Sequence, residues 1–251
     1  MLLTDKVVLV TGGGRGIGAA ICRVLAREGA SVAINYSASK DRAQAVAAQI
    51  WEAGGQAEVF GADVRDASAT EAMVKAAAER FGRLDGVVNN AIGGRQNGSL
   101  AEASPDDYTN AFAFGCEAVL NTVRAARPLM QEQGGGRIVN IVTELWNMAP
   151  AGWSVYMAGK GAMVGVSRSL AMELGPENIT VNMVAPGWMA DEKVDTDSQG
   201  SRDFAATIPL RRHGSADEIG NACAFFLSNL AGYVTGAYLP VTGGRITQVG
   251  M

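Results

Sequence analysis

The chain has 251 residues, 48% of them hydrophobic and 18% charged, which is enough apolar material for one sizeable α/β core. A net charge of −4 leaves no basic footprint for nucleic acid, and no apolar run reaches membrane-spanning length. Three separated cysteines (Cys22, Cys116, Cys223) and a single histidine, His213, exclude a C-x-x-C pair and a multi-histidine metal site, and point to isolated thiols in a reducing cytoplasm.

The N-terminus runs directly into an apolar stretch, Val7-Val8-Leu9-Val10, which reads as a first strand, so a signal peptide is not expected. Thr11-Gly12-Gly13-Gly14-Arg15-Gly16-Ile17-Gly18 follows, and then a helical pattern with Ile17, Ile21, Val24 and Leu25 on one face. Strand, glycine turn and helix form the layout that cradles a pyrophosphate, because glycine admits close approach and the helix start offers free N–H groups. The spacing is G-x-x-x-G-x-G, so a glycine-rich turn without a ligand stands as the alternative. Residues 31–35 predict a second strand, 39–53 a helix, 56–61 a third strand, 68–81 a helix capped by Ser68, and 85–89 a fourth strand. In the second half, Ser104-Pro105 opens a helix and 115–133 reads as a long one. Then come a strand at 137–142, a long helix at 153–175, a strand at 179–184, a helix at 215–228 and a strand at 237–241. The order predicts one domain over 1–251. It is a Rossmann-type, doubly wound parallel sheet of seven strands with helices on both faces, and the polar stretch near 188–210 reads as a mobile substrate flap.

The helix over 153–175 contains Gly159, Gly161 and Gly165. Each costs about 1 kcal/mol relative to alanine, so a close backbone or cofactor must offset them, unless the stretch is not continuously helical. Within it, Tyr156 and Lys160 stand at i and i+4 on one face. A tyrosine ionises at about pH 10. A neighbouring lysine charge is expected to lower that value and make the pair a general acid or base for a carbonyl or alcohol. A surface i, i+4 pair is the plainer alternative.

These motifs, in this order, resemble the short-chain dehydrogenase/reductase family along nearly the whole chain, and within it the 3-oxoacyl-carrier-protein reductases. The matches are Thr11 to Gly18, Asp63-Val64, Asn89-Asn90-Ala91, Tyr156 to Lys160, Pro186-Gly187, Thr235-Gly236 and Gly243-Gly244. The resemblance implies that Tyr156 protonates the carbonyl oxygen as hydride arrives, while Lys160 binds the nicotinamide ribose and tunes Tyr156. Gly12, Gly14, Arg15, Gly16, Ile17 and Gly18 would hold the phosphates, with Asp63 and Val64 beside the adenine. Asn89 and Ala91, with Pro186, Gly187 and Met189, would line the cofactor, and Asn89 would also brace the sheet. It further implies a homotetramer built on the helices over 115–133 and 153–175.

The sequence departs from the family pattern at four positions. Thr143 stands for the active-site serine and keeps a hydroxyl donor. Gly115 falls where the family has a helix asparagine of the proton relay, so a water is expected to bridge in its place. Ile92 replaces a loop glycine, and Asp191 replaces a threonine that contacts the carboxamide. At the end of the second strand stand Asn35, Tyr36 and Ser37, with no carboxylate to repel a 2′-phosphate. Arg15, with Lys40 as second candidate, could pair with that phosphate, which favours NADP(H) over NAD(H).

Trp146, Trp153 and Trp188, with Met148, Met157 and Met189 close by, suit a hydrophobic or cyclic carbonyl compound, unless they pack against the flap or a neighbouring subunit. Glu144 reads as a loop carboxylate turned to water, though within reach of a substrate. The expected activity is NADPH-dependent reduction of a 3-oxoacyl-type or hydrophobic ketone by Tyr156, Lys160 and Thr143. The alternatives are a nucleotide-binding protein with little catalysis and a C=C or C=N reductase. No nucleic acid, membrane or metal partner is expected.

Overall fold

The first strand, β1 (Val7–Val10), is buried along its whole length. Val7 and Leu9 pack to one side of the sheet, Val8 and Val10 to the other. A parallel strand covered on both faces reads as such an unbroken apolar run. In the computed structural model, residues 1–94, 97–190 and 195–245 are described. Chain order continues with α1 (Gly16–Arg27), β2 (Ser31–Tyr36), α2 (Lys40–Glu52), β3 (Gln56–Gly61), α3 (Ala67–Phe81) and β4 (Gly86–Asn89). The second half adds α4 (Pro105–Phe112), α5 (Ala118–Glu132), β5 (Gly136–Ile141), the short α6 (Leu145–Met148), α7 (Ser154–Leu174) and β6 (Ile179–Pro186). It closes with β7 (Met189–Ala190), α8 (Gln199–Thr207), β8 (Gly214–Ser215), α9 (Ala216–Leu227) and β9 (Tyr238–Val241).

Seven parallel strands form the central sheet in the order β3-β2-β1-β4-β5-β6-β9, as expected. The order reverses between β1 and β4, which opens a crevice beyond their C-terminal ends. Helices α1, α2 and α9 cover one face of the sheet, and α3, α5 and α7 the other. A small second sheet pairs β7 with β8, and α8 lies inside the stretch read as an irregular flap. That helix starts on its own cap, since Ser198 accepts from the Ser201 amide.

Two helix boundaries differ from expectation. The third helix is capped by Asp66, whose carboxylate accepts from the Ala69 amide at 2.9 Å, so the helix starts one residue before Ser68. The helix expected from residue 115 is instead the later part of a rod that starts at Pro105, where Ser104 and Asp107 form a capping box. A π turn, Ala113–Glu117, joins α4 to α5 and is centred on Gly115.

That turn lets the rod press backbone to backbone on α7. A Cβ added to Gly115 would stand 1.9 Å from the Gly159 carbonyl oxygen, and one added to Gly159 would stand 2.6 Å from the Ala111 carbonyl oxygen. Gly161 makes room for the Trp146 ring, 2.4 Å from where its Cβ would lie. Two of the three glycines of α7 are thus explained by close approach. Space around the third, Gly165, is open. Gly115→Ala is expected to lose about 2–3 kcal/mol, the usual cost of overpacking a rigid contact. Thermal melting should show a fall of about 5–10 °C; an unchanged melting point would mean the two helices part without cost.

Candidate active site

The glycine turn is held open by its neighbours. The Thr11 hydroxyl accepts from the amides of Asn90 (2.9 Å) and Ala91 (3.0 Å), which ties the end of β1 to the loop after β4. Buried Asn35 accepts from the Gly12 amide at 3.2 Å and donates to the Ala62 carbonyl at 3.0 Å. Gly12 adopts φ +63°, and a Cβ on Gly18 would stand 2.3 Å from the Gly12 carbonyl, so neither position accepts a side chain without strain. Arg15 stands at the start of α1 without capping it by its side chain, and no acidic residue lies in the first turn. The helix donors therefore face the cleft unpaired, an arrangement that fits a pyrophosphate.

A cleft of about 630 Å³ runs along this turn, lined by Gly12, Gly14, Arg15, Gly16, Ile17, Gly18, Asn35, Tyr36, Ser37, Asp63, Val64 and Ala91 among others. The structure brings these residues together along one cleft. The same wall includes Ser39 and Arg42, which the sequence reading passed over in favour of Lys40. A signal for Arg42 was present. A cation in the first turn of α2 opposes the helix dipole, and such a local conflict often marks a functional position. Arg15 and Arg42 are both exposed, and neither is drawn into an ion pair among the described residues. Among the described residues the one carboxylate on the wall, Asp63, is clamped by Arg65 at 2.6 Å, and the Arg65 hydrogen bonds hold it below the usual carboxylate range. Arg65 in turn donates to Asn110 at 2.7 Å and lies over the Phe114 ring.

Asn89 is not on the cleft wall. Its amide donates to Asn140 (2.8 Å), its oxygen accepts from Thr122 (2.7 Å), and Asn140 passes the chain to Ser167 on α7 (2.7 Å). It braces the sheet because all its polar atoms are taken there. Pro186 and Met189 are buried, and Met189 belongs to the core, its methyl group against Gly214. Gly187 donates to the Val241 carbonyl at 3.0 Å. Asp191 lies outside the described residues.

A second, small cavity of about 20 Å³ shares Ala91, Ile92 and Phe114 with the cleft as lining residues. Gly115, Tyr156, Gly159 and Lys160 also line that cavity, whose volume is enough for about one water beside Gly115. Lys160 is buried, its Nζ donating to the Ile141 carbonyl at 2.5 Å and lying 5.9 Å from the Tyr156 ring centre. Burial pushes its amine down to about 8. Burial pushes the Tyr156 phenol up, and hydrogen bonding with Thr143 works against that. The lysine charge was expected to lower the phenol. In this fold desolvation by burial outweighs any such lowering, and the phenol is raised.

The three tryptophans do not form one wall. Trp153 meets Tyr156 edge-on, with ring centres 5.7 Å apart. Trp146 packs on α7 at Gly161. Trp188 joins Phe204 of α8 and His213 in an aromatic cluster, with centres 4.3 and 5.2 Å away. Glu144 is not turned to water. It is 5% exposed, its carboxylate beside Gly187, and burial raises its pKa against the pull of Arg245. Among the described residues no cluster of His, Cys, Asp and Glu suited to a metal is present, and no helix is long and apolar enough to cross a membrane.

A family model described as enoyl-(acyl carrier protein) reductase matches residues 12–245. The 3-oxoacyl-[acyl-carrier-protein] reductase of Staphylococcus aureus is 37% identical over 240 residues, 95% of this chain and 97% of that one. Among solved structures, a short-chain dehydrogenase from Burkholderia cenocepacia in complex with NADP is similar at TM-score 0.88 and 38% identity, covering 97% of this chain and 99% of that one. A blue fluorescent protein from a metagenomic library, in complex with NADPH, is similar at TM-score 0.88 and 37% identity, covering 98% and 100%.

The buried amine generates a pH test. Holding the Lys160 ammonium in this site costs about 3 kcal/mol, offset by about 1 kcal/mol from its hydrogen bond. Unfolded, the amine keeps its ordinary value of 10.5, against about 8 folded. Between those values the unfolded state binds the extra proton, so the cost falls away as pH rises. Lys160→Met is expected to be more stable than the parent at pH 7 by about 2 kcal/mol, with the gap closing by pH 10.5. Denaturant melts across pH 7–10.5 measure this; a variant less stable at pH 7 overturns it.

Proposed function

The chain belongs to the short-chain dehydrogenase/reductase family, and from that premise we propose that it is an NADPH-dependent carbonyl reductase with Tyr156 as its acid. One observation carries the reading: the glycine-bounded cleft and the cavity lined by Tyr156 and Lys160 share Ala91, Ile92 and Phe114 as walls, so the two spaces are neighbours. NADPH, when bound, supplies hydride to the carbonyl carbon. Tyr156 gives its proton to the carbonyl oxygen, and its buried phenol, with a pKa above the ordinary value, is in the neutral form that this step needs. Thr143 steadies the same oxygen with its hydroxyl. Lys160 holds the ribose and, being close to neutrality, returns a proton to Tyr156 through the small cavity. Arg15 and Arg42, with Ser37 and Ser39, receive the 2′-phosphate. The complexes of two relatives with NADP and NADPH support this choice.

Helix α8 with its neighbouring turns serves as the flap over the substrate. A homotetramer is formed through the helices α4, α5 and α7. Exposed Phe112 and Met172 and the open space at Gly165 support that face as an interface. Small-angle scattering should return four chain masses, and a single chain mass would refute the assembly. Reduction of a carbon–carbon double bond is a second reading, favoured by the description of the matching family model.

A panel of ketones and one enone, tested with NADPH and NADH, separates these readings. Tyr156→Phe should lower kcat at least a thousandfold while NADPH binding, followed by cofactor fluorescence, persists. Arg15→Ala with Arg42→Ala should raise KM for NADPH ten- to a hundredfold and leave NADH nearly unchanged. Equal rates for parent and Tyr156→Phe would remove the tyrosine from the mechanism.

A further inference from the structure

A groove of about 580 Å³ runs between α1 and α2 and shares Arg15 and Arg42 with the cofactor cleft. It adds a third cation, Arg23, which does not line the cleft. Ala19 and Arg23 stand at i and i+4 on one face of α1, and Arg15 precedes them by one further turn. Arg42 and Ala45 face them from α2, and the small alanine side chains leave the space between the helices open. Arg23 reaches over the far end, donating to Gln49 at 3.2 Å. The three arginines are exposed, and among the described residues none is drawn into an ion pair. The groove's one carboxylate among those residues, Asp217, is drawn off to Arg27 at 3.7 Å. Three guanidinium groups around one groove repel one another unless an anion answers them. A 2′-phosphate accounts for Arg15 and Arg42 but not for Arg23. A helix rises about 1.5 Å per residue, which sets Arg23 roughly 12 Å along α1 from Arg15. A single phosphate at Arg15 leaves that far end unanswered, whereas a chain of phosphates spans it.

We propose that the groove between α1 and α2 binds a linear polyphosphate, running from Arg15 and Arg42 to Arg23, and that its occupancy excludes the 2′-phosphate of NADPH. Guanidinium groups pair phosphate oxygens two at a time, and the groove presents three of them. An acidic peptide fits less well, because its backbone amides would find only alanine side chains along the floor. NADH places no charged group at the shared arginines, so a bound polyphosphate shifts cofactor use from NADPH toward NADH. The binding itself rests on the groove alone, and only the competition rests on the NADPH reading.

The test is calorimetric titration of the full chain with sodium tripolyphosphate at low ionic strength, because salt screens exposed charges. The parent should bind, and Arg23→Gln should weaken that binding by at least about fivefold, as when a charge-assisted contact is removed. NADPH affinity should change by less than about twofold in the same variant, which also checks that it is folded. In the parent, saturating tripolyphosphate should raise the Kd for NADPH, followed by cofactor fluorescence, by at least about fivefold and leave that for NADH unchanged. No binding by the parent, or equal binding by parent and variant, overturns the site; the second result would place the anion in the cofactor cleft alone. A tetraglutamate peptide that binds as tightly as tripolyphosphate overturns the phosphate assignment, and NADPH that binds without being displaced overturns the exclusion. If the glutamine variant does not fold, Arg23→Met, which keeps the aliphatic stem, is judged by the same threshold. If tripolyphosphate binds through Arg23 while NADPH does not bind at all, the groove stands and the NADPH reading falls.

Discussion

Tyr156 and Lys160 are aimed by the glycine between them. Gly159 lets the α4–α5 rod approach until the Ala111 carbonyl would lie 2.6 Å from an added Cβ, and Gly115 repays the contact from the other side. Any side chain at either position would push the rod outward and with it Phe114, which walls both the cleft and the inner cavity. The π turn at Ala113–Glu117 is the backbone form that this contact takes. A π turn costs helix hydrogen-bond geometry, and such turns recur where a helix must bend around a site. The bend keeps a helix irregularity beside the lysine, although Gly115 offers no side chain.

Burial acts on the phenol and the amine in opposite directions and brings the two groups toward a common role. It disfavours each charged form, so Tyr156 keeps its proton more firmly and Lys160 releases its own more easily. An acid that stays neutral at physiological pH, beside a base poised near it, suits delivery of a proton to an alkoxide and its replacement afterwards. The reading that a lysine charge would lower the phenol treated the pair as if it were isolated on a helix. In the fold the ammonium is drawn to the Ile141 carbonyl and the shared desolvation dominates.

Periodicity and order were enough for the sheet. Val7–Val10 and the fully buried run Ile179–Pro186 announce strands covered on both faces, and the alternation of strands and helices leaves few topologies open. The cleft wall from Gly12 to Gly18 was equally plain, because its residues are contiguous. What escaped was set by tertiary contact. Arg42 reaches the cleft from a helix otherwise read for its alanines. Asn89 faces a polar chain through Thr122, Asn140 and Ser167 that no spacing rule joins. The tryptophans are close in sequence to the reactive loops, yet each finds a different partner.

Glu144 shows most clearly how place overrides composition. In sequence the aromatic and methionine residues around positions 146–189 read as an apolar pocket, and a carboxylate in a loop ordinarily turns outward. The strand ends leave no such exit, since β5, β6 and β9 converge there and Gly187 and Thr242 close over the side chain. Arg245 cannot fully answer the charge, because its guanidinium is shared with the face of Phe204.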